Sequence, residues 1–114
     1  MFCFLDKLEE HKVAPGVIGK YLGSGEAMNV MHWNFDDKAA LPGHHHAAVQ
    51  FGYIIKGAFQ IDIGGEKALL KAGDSYFVPS NVEHAFVAVG ETEAIDVFSP
   101  ARDDVPPWKN QNKY

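Results

Sequence analysis

Short runs of alternating apolar and polar residues recur along the chain from Val17 onward, separated by turn residues about every eight to twelve positions. In the clearest run, Phe59, Ile61 and Ile63 would share one face of a strand that starts after Gly57. The pair Gly64 and Gly65 follows at once and predicts a two-residue hairpin. Because the strands are short and closely connected, with no room for crossover helices, the pattern predicts an all-β fold, an antiparallel jelly-roll barrel.

The same alternation predicts further strands over residues 17–22, 30–35, 50–56, 66–70, 76–78, 83–89 and 94–98. Residues 4–12 fit a short helix or a turn, and the polar tail after Pro100 is expected to run over the surface. No linker or internal repeat interrupts the pattern. We therefore expect one domain over residues 1–114, with the barrel core at about 17–99.

Composition narrows the class of protein. Of the 114 residues, 46% are hydrophobic and 22% charged, which is typical of a folded domain and argues against disorder. The net charge of -5 and the absence of a basic run argue against nucleic acid as a partner. Cys3 is the only cysteine, so no intrachain disulfide can form. With no stretch of membrane-spanning length and early acidic residues, we expect a cytoplasmic protein without a signal peptide.

The strongest chemical signal is the histidine run. His44, His46 and Gln50 share a parity and would point to one face of an extended segment, and His84 could join them from another strand. Imidazole nitrogen and an amide oxygen suit one divalent transition metal ion: Mn, Fe, Co, Ni, Cu or Zn. Because these four side chains carry no charge, the cation would keep its full charge as a Lewis acid. The alternative interpretation is a solvated histidine loop with His84 on the surface.

Two other histidines are not expected to be ligands. His45 has the opposite parity and is expected to be exposed or to support the ligands from behind. His32 lies opposite an apolar face, which favours a solvent or interface position. Both faces of one strand are apolar, with Phe51, Tyr53 and Ile55 opposite Gly52 and Ile54, and this predicts a homodimer.

These residues resemble the two motifs of the cupin superfamily of small jelly-roll barrels. In the first motif a His-x-His pair is followed by an acidic or amide ligand and a glycine, here His44, His46, Gln50 and Gly57. Gly43 stands nearer the histidines than the leading glycine of that motif. In the second motif Asn81 replaces a glycine and Ala88 replaces a final asparagine; the matching residues are Gly73, Pro79 and His84.

Residues 72–84 and 96–104 are also similar to the cupins of pectin and alginate degradation. Those proteins convert cyclic 4,5-unsaturated uronates to the linear 4-deoxy-5-keto form, with three histidines and one glutamine as metal ligands. The resemblance implies that the metal binds the substrate's carboxylate and ring hydroxyl. It also implies that Asp96 is a catalytic acid and base, that Phe98 forms an apolar wall at the catalytic site, and that Arg102 binds the substrate carboxylate.

Other interpretations stand beside these. Asp96 could face solvent, because its neighbours Ile95 and Val97 look like the core face. Phe98 could serve packing alone, and Arg102 could make only a surface ion pair. The alternative functions are a cupin dioxygenase, whose metal changes redox state, and a non-enzymatic, metal-dependent protein that binds a small ligand.

Overall fold

Two antiparallel β-sheets make up the fold in a computed structural model that describes residues 2–102. A single 3₁₀ turn at Leu5–Lys7 precedes the strands. The strands are β1 His11–Ala14, β2 Val17–Ser24, β3 Asn29–Phe35, β4 Ala40–His44, β5 Val49–Lys56, β6 Ala58–Ile63, β7 Glu66–Lys71, β8 Ser75–Val78, β9 His84–Ala88 and β10 Thr92–Ser99. One sheet has the order β1-β2-β3-β10-β5-β8 and the other the order β4-β9-β6-β7. The expected all-β antiparallel architecture is confirmed.

The core lies between the two sheets and consists of the inward-facing side chains of alternate strand positions. On β6, Phe59 and Ile61 are buried as the alternation predicts. Phe59 packs edge-to-face on Phe35 of the opposite sheet, with ring centroids 4.8 Å apart. The largest side chains that are almost completely inaccessible include Ile54 of β5 and Val78 of β8. One apolar face per strand is thus enough to build the core.

Glycines in the left-handed region make two tight connections, one within the four-stranded sheet and one between the sheets. Gly64 (φ 58°) and Gly65 (φ 91°) close the β6–β7 hairpin. Gly57 (φ 81°) joins β5 to β6 where a Cβ would lie 2.2 Å from the carbonyl oxygen of Glu91. Only glycine fits this position without moving backbone, which accounts for the glycine at the end of the first motif.

The details that differ from the sequence prediction include an edge strand and the burial of one histidine. Residues His11–Ala14 form a strand on the edge of β2, where the sequence indicated a helix or turn over residues 4–12. His32 is not at a solvent position: it is 4% exposed, and its Nε2 lies 2.6 Å from Oε2 of Glu93 on the neighbouring strand β10. A carboxylate partner lets a histidine be buried on the less apolar face of a strand, and alternation alone does not reveal such a partner.

Candidate metal centre and substrate cleft

The histidine run lies where the chain crosses from one sheet to the other. His44 ends β4 in the four-stranded sheet and pairs with His84 of β9. The chain then turns, and Gln50 lies in β5 of the six-stranded sheet. The expectation of one extended segment that carries His44, His46 and Gln50 is therefore wrong. These side chains come together because the chain passes from β4 of one sheet to β5 of the other between His44 and Gln50.

In all three histidines, Nδ1 hydrogen-bonds to a main-chain carbonyl oxygen. Nδ1 of His44 lies 2.8 Å from the Pro42 oxygen, and Nδ1 of His84 lies 2.8 Å from the Val82 oxygen. Nδ1 of His46 lies 2.7 Å from the oxygen of Ala48. A carbonyl oxygen only accepts, so Nδ1 must carry the proton in each ring. Nε2 is consequently the nitrogen of each ring that can present a lone pair.

These lone pairs converge. The candidate ligand atoms of His44, His46 and His84 all lie within 4.8 Å of one another. Nε2 of His46 faces Oε1 of Gln50 at 3.1 Å, although neither atom has a proton to share. Within residues 2–102, Nε2 of His84 is buried and has no hydrogen-bond partner. A divalent transition metal ion would satisfy all of these atoms at once, so the residues fit such an ion.

Burial keeps the histidines in the form that binds metal. Desolvation lowers the pKa of His84 from 6.5 to about 4. The pKa of His46 is lowered too, chiefly by desolvation and then by the positive charge of Arg102. Both rings are therefore neutral near neutral pH, and a cation would not have to displace a proton from them.

Asp96 faces the interior beside this cluster. It is 6% exposed and accepts a hydrogen bond of 2.5 Å from the hydroxyl of Tyr76, so the interpretation of Asp96 as a solvent-facing residue is wrong. The alternation pattern indicated the wrong inward face because both faces of β10 are apolar. Ile95 and Val97 are half-buried on the outer face. Desolvation raises the pKa of Asp96 from 3.8 to about 6, while the hydrogen bonds from Tyr76 and Gln50 oppose the shift. A carboxyl group with such a pKa can both donate and accept a proton near neutral pH.

A cleft of about 340 Å³ opens beside the cluster. Gln50, Asp96 and Phe98 all line it. Arg102 lies at the same cleft with its guanidinium carbon 4.9 Å from the centre of the Phe98 ring, a cation–π contact. The buried side chain of Asn29 donates a hydrogen bond to the carbonyl oxygen of Arg102 and holds this segment against the barrel. The cleft thus combines lone-pair donors, a buried acid, an apolar ring and a cation.

Sequence reasoning placed His45 outside the ligand cluster, and the structure leaves it exposed. It missed Tyr76 and Asn29, which hold Asp96 and the Arg102 segment. The available signal for Tyr76 was its parity: it shares the inward face of β8 with Val78, and a buried tyrosine needs a partner for its hydroxyl. Nothing in the sequence indicates the role of Asn29.

Comparison with known proteins decides the family. The cupin-domain family profile matches residues 31–98, more than half of the chain. The chain belongs to the cupin family. This cupin is 35% identical to the pectin degradation protein KdgF of Dickeya dadantii (strain 3937), over 73% of this chain and 86% of that protein. The expected resemblance to the cupins of pectin degradation is confirmed.

Two solved structures resemble this cupin over most of its length. KdgF from Halomonas sp. is 32% identical and superimposes with a TM-score of 0.87, covering 91% of this chain and 96% of the other. An RmlC-like cupin from Shewanella frigidimarina NCIMB 400 is 34% identical, also with a TM-score of 0.87, over 90% and 93% of the two chains. Among the described residues, no helix has the length and apolar character needed to cross a membrane.

Proposed function

We propose that this cupin is a metal-dependent enzyme of sugar-acid catabolism that converts a cyclic 4,5-unsaturated uronate to its linear 4-deoxy-5-keto form. The observation that carries the proposal is a cluster of four uncharged metal donors beside a cleft that also holds a buried carboxyl group and an arginine; the residues are His44, His46, Gln50, His84, Asp96 and Arg102. Similarity to two proteins named KdgF, one of them a pectin degradation protein, supports the choice of substrate.

The four donors would hold one divalent ion of Mn, Fe, Co, Ni, Cu or Zn. When bound, the ion would supply positive charge for the substrate's carboxylate and for an oxygen that gains negative charge during the reaction. Arg102 would pair with the same carboxylate and orient it, and its stacking on Phe98 restricts where the guanidinium can lie. Phe98 would also exclude water from one side of the sugar ring.

Asp96 would move the proton. The reaction is an isomerisation: the hydroxyl at C1 loses a proton, the bond from C1 to the ring oxygen breaks, and C4 gains a proton as C5 becomes a ketone. Asp96 in its ionised form can accept the first proton and in its neutral form can deliver the second. With its pKa raised to about 6, both forms are accessible near neutral pH.

The test is an assay on a 4,5-unsaturated uronate monomer prepared with a polysaccharide lyase. Loss of absorbance from the C4=C5 double bond would be followed with metal-loaded protein, chelated protein and no protein. We expect Asp96→Asn to lower kcat about 100-fold or more, because general acid–base catalysis contributes on that order. Asp6→Asn, at an exposed aspartate, is the matched control and should leave kcat unchanged.

A metal-loaded protein that does not exceed the spontaneous rate would overturn the proposal. An activity that requires oxygen would instead identify a dioxygenase, and binding of the uronate without turnover would identify a non-enzymatic binding protein. An anaerobic repeat of the assay and a calorimetric titration with the uronate separate these outcomes.

We also propose that this cupin forms a homodimer through the outer face of the six-stranded sheet. Phe51, Tyr53 and Ile55 of β5 are each more than 40% exposed, and Phe77 of β8, paired with Phe51, is 55% exposed. A contiguous exposed apolar patch of this kind is typical of an interface. Phe77→Ser should shift the mass from light scattering toward the monomer, whereas Leu69→Ser, at an exposed position of the other sheet, should not. A wild-type monomer at micromolar concentration would contradict the proposal.

A further inference from the structure

Tyr76, Gly52 and Asp96 form one row across three adjacent strands. Tyr76 of β8 pairs with Gly52 of β5, and Gly52 pairs with Asp96 of β10. A Cβ atom on Gly52 would lie 2.0 Å from Cζ and 2.3 Å from the hydroxyl oxygen of Tyr76. The tyrosine therefore occupies the space that a side chain on β5 would fill. The missing side chain allows Tyr76 to reach across one strand to Asp96.

The hydroxyl group at the end of this reach is buried among functional side chains. It donates a 2.5 Å hydrogen bond to Oδ1 of Asp96. Gln50 lies two residues before Gly52 on the same inward face of β5, and its amide is near enough to act as a donor that lowers the pKa of both Tyr76 and Asp96. Since Asp96 in its ionised form only accepts hydrogen bonds, the Gln50 amide must turn its N–H groups toward this pair.

The other end of the same amide faces the histidines. Oε1 of Gln50 lies 3.1 Å from Nε2 of His46. A primary amide has one oxygen and one nitrogen, so fixing the nitrogen on Asp96 and Tyr76 also fixes the oxygen toward the three imidazoles. With the amide reversed, N–H groups would point at the lone pairs that are to bind the ion, and Gln50 could not be a ligand.

We propose that Tyr76 is a positioning residue: by reaching over Gly52 to Asp96 it fixes the Gln50 amide with its oxygen toward the metal position. This inference rests on the metal centre of the proposed function. Asp96 thereby has two separable roles, proton transfer to the substrate and orientation of a metal ligand. Removal of a side chain that hydrogen-bonds to a metal ligand and orients it commonly lowers metal affinity by about 10- to 100-fold.

The experiment is a cobalt(II) titration of the metal-free protein, followed by visible absorption and by calorimetry, with no substrate present. Tyr76→Phe keeps the ring and removes only the hydroxyl. We expect it to weaken cobalt binding by about 10-fold or more and to move the absorption spectrum toward that of Gln50→Ala. Tyr53→Phe is the matched control, because Tyr53 is an exposed tyrosine on the outer face of β5, and it should bind cobalt as the wild type does.

The results separate this inference from the proposed function. If the wild type takes up no cobalt, the metal centre itself is wrong and the inference falls with it. If the wild type binds cobalt and Tyr76→Phe matches it in affinity and spectrum, only the role of Tyr76 is wrong. Should Tyr76→Phe fail to fold by circular dichroism, Asp96→Leu tests the same arrangement, because it removes the carboxylate that accepts the hydrogen bond of the Tyr76 hydroxyl. Unchanged cobalt binding in that variant would then overturn the inference.

Discussion

The low pKa of His84 predicts how the metal-free protein responds to acid. In the folded protein burial favours the neutral ring and lowers the pKa from 6.5 to about 4. A group whose pKa is lower in the folded state contributes stability that is present above the unfolded pKa and is lost as the pH falls through the folded pKa. This contribution should therefore disappear between about pH 6.5 and about pH 4.

The size of the loss follows from the two pKa values. Between about pH 7 and about pH 4.5 the linkage relation gives a decrease of about 2 kcal/mol in the free energy of unfolding. His84→Gln replaces the ring with a side chain that does not titrate, so this part of the decrease should be absent in the variant. The raised pKa of Asp96 acts in the opposite direction, because it lowers the free energy of unfolding as the pH rises through about 6. This effect is present in the wild type and in both variants, so it cancels in the comparison.

Urea unfolding in the presence of a chelator measures this directly. The free energy of unfolding would be determined at both pH values for the wild type, His84→Gln and His45→Gln. His45 is the matched control because it belongs to the same run of histidines but is exposed. We expect the acid-induced decrease to be smaller by about 2 kcal/mol in His84→Gln only. Equal decreases in all three proteins would refute the reasoning that burial holds His84 neutral.

Three further predictions concern other parts of the molecule. Phe59→Ala should lower the free energy of unfolding by about 3–5 kcal/mol, because the ring is 1% exposed in the core; a urea midpoint close to that of the wild type would contradict this. Gly57→Ala should cost more than about 1 kcal/mol, since its Cβ would meet the Glu91 carbonyl, whereas Gly90→Ala, with a similar φ but open space around it, should cost less in the same thermal melts. Under the proposed function, Arg102→Gln should raise KM for the uronate about 10-fold with little change in kcat, because the proposed charged hydrogen bond from Arg102 to the substrate carboxylate would be lost; an unchanged KM would exclude Arg102 from substrate binding.

Much of the fold could be predicted because alternation and glycine placement act locally. The inward face of β6 and the hairpin at Gly64 and Gly65 follow from residue order alone. The edge strand His11–Ala14 could not be predicted in this way, because its residues show no strand pattern of their own. It forms by hydrogen-bonding to β2. Strand pairing supplied what the local sequence lacked.

The candidate site was predicted less evenly. The spacing of His44, His46 and His84 was sufficient to predict that these residues cluster. They do so because the chain changes sheet after His44, and not because they share one strand. The sequence of β10 does not show whether the Asp96 side chain faces the core or solvent, because both faces of this strand carry apolar residues. The hydrogen-bond donor to Asp96 is Tyr76, which lies 20 residues away in the chain and fills the space that a side chain on Gly52 would occupy.

The main-chain carbonyls that hold the three imidazoles have a consequence for how such a barrel can diversify. Because Pro42, Ala48 and Val82 contribute their backbone oxygens, one hydrogen bond of each ring does not depend on which side chains form the rest of the pocket. Replacing Arg102 would change the charge at the pocket while leaving these three hydrogen bonds in place. Substitutions in the pocket wall and in the main-chain conformation that orients the imidazoles can therefore accumulate at different positions of the sequence.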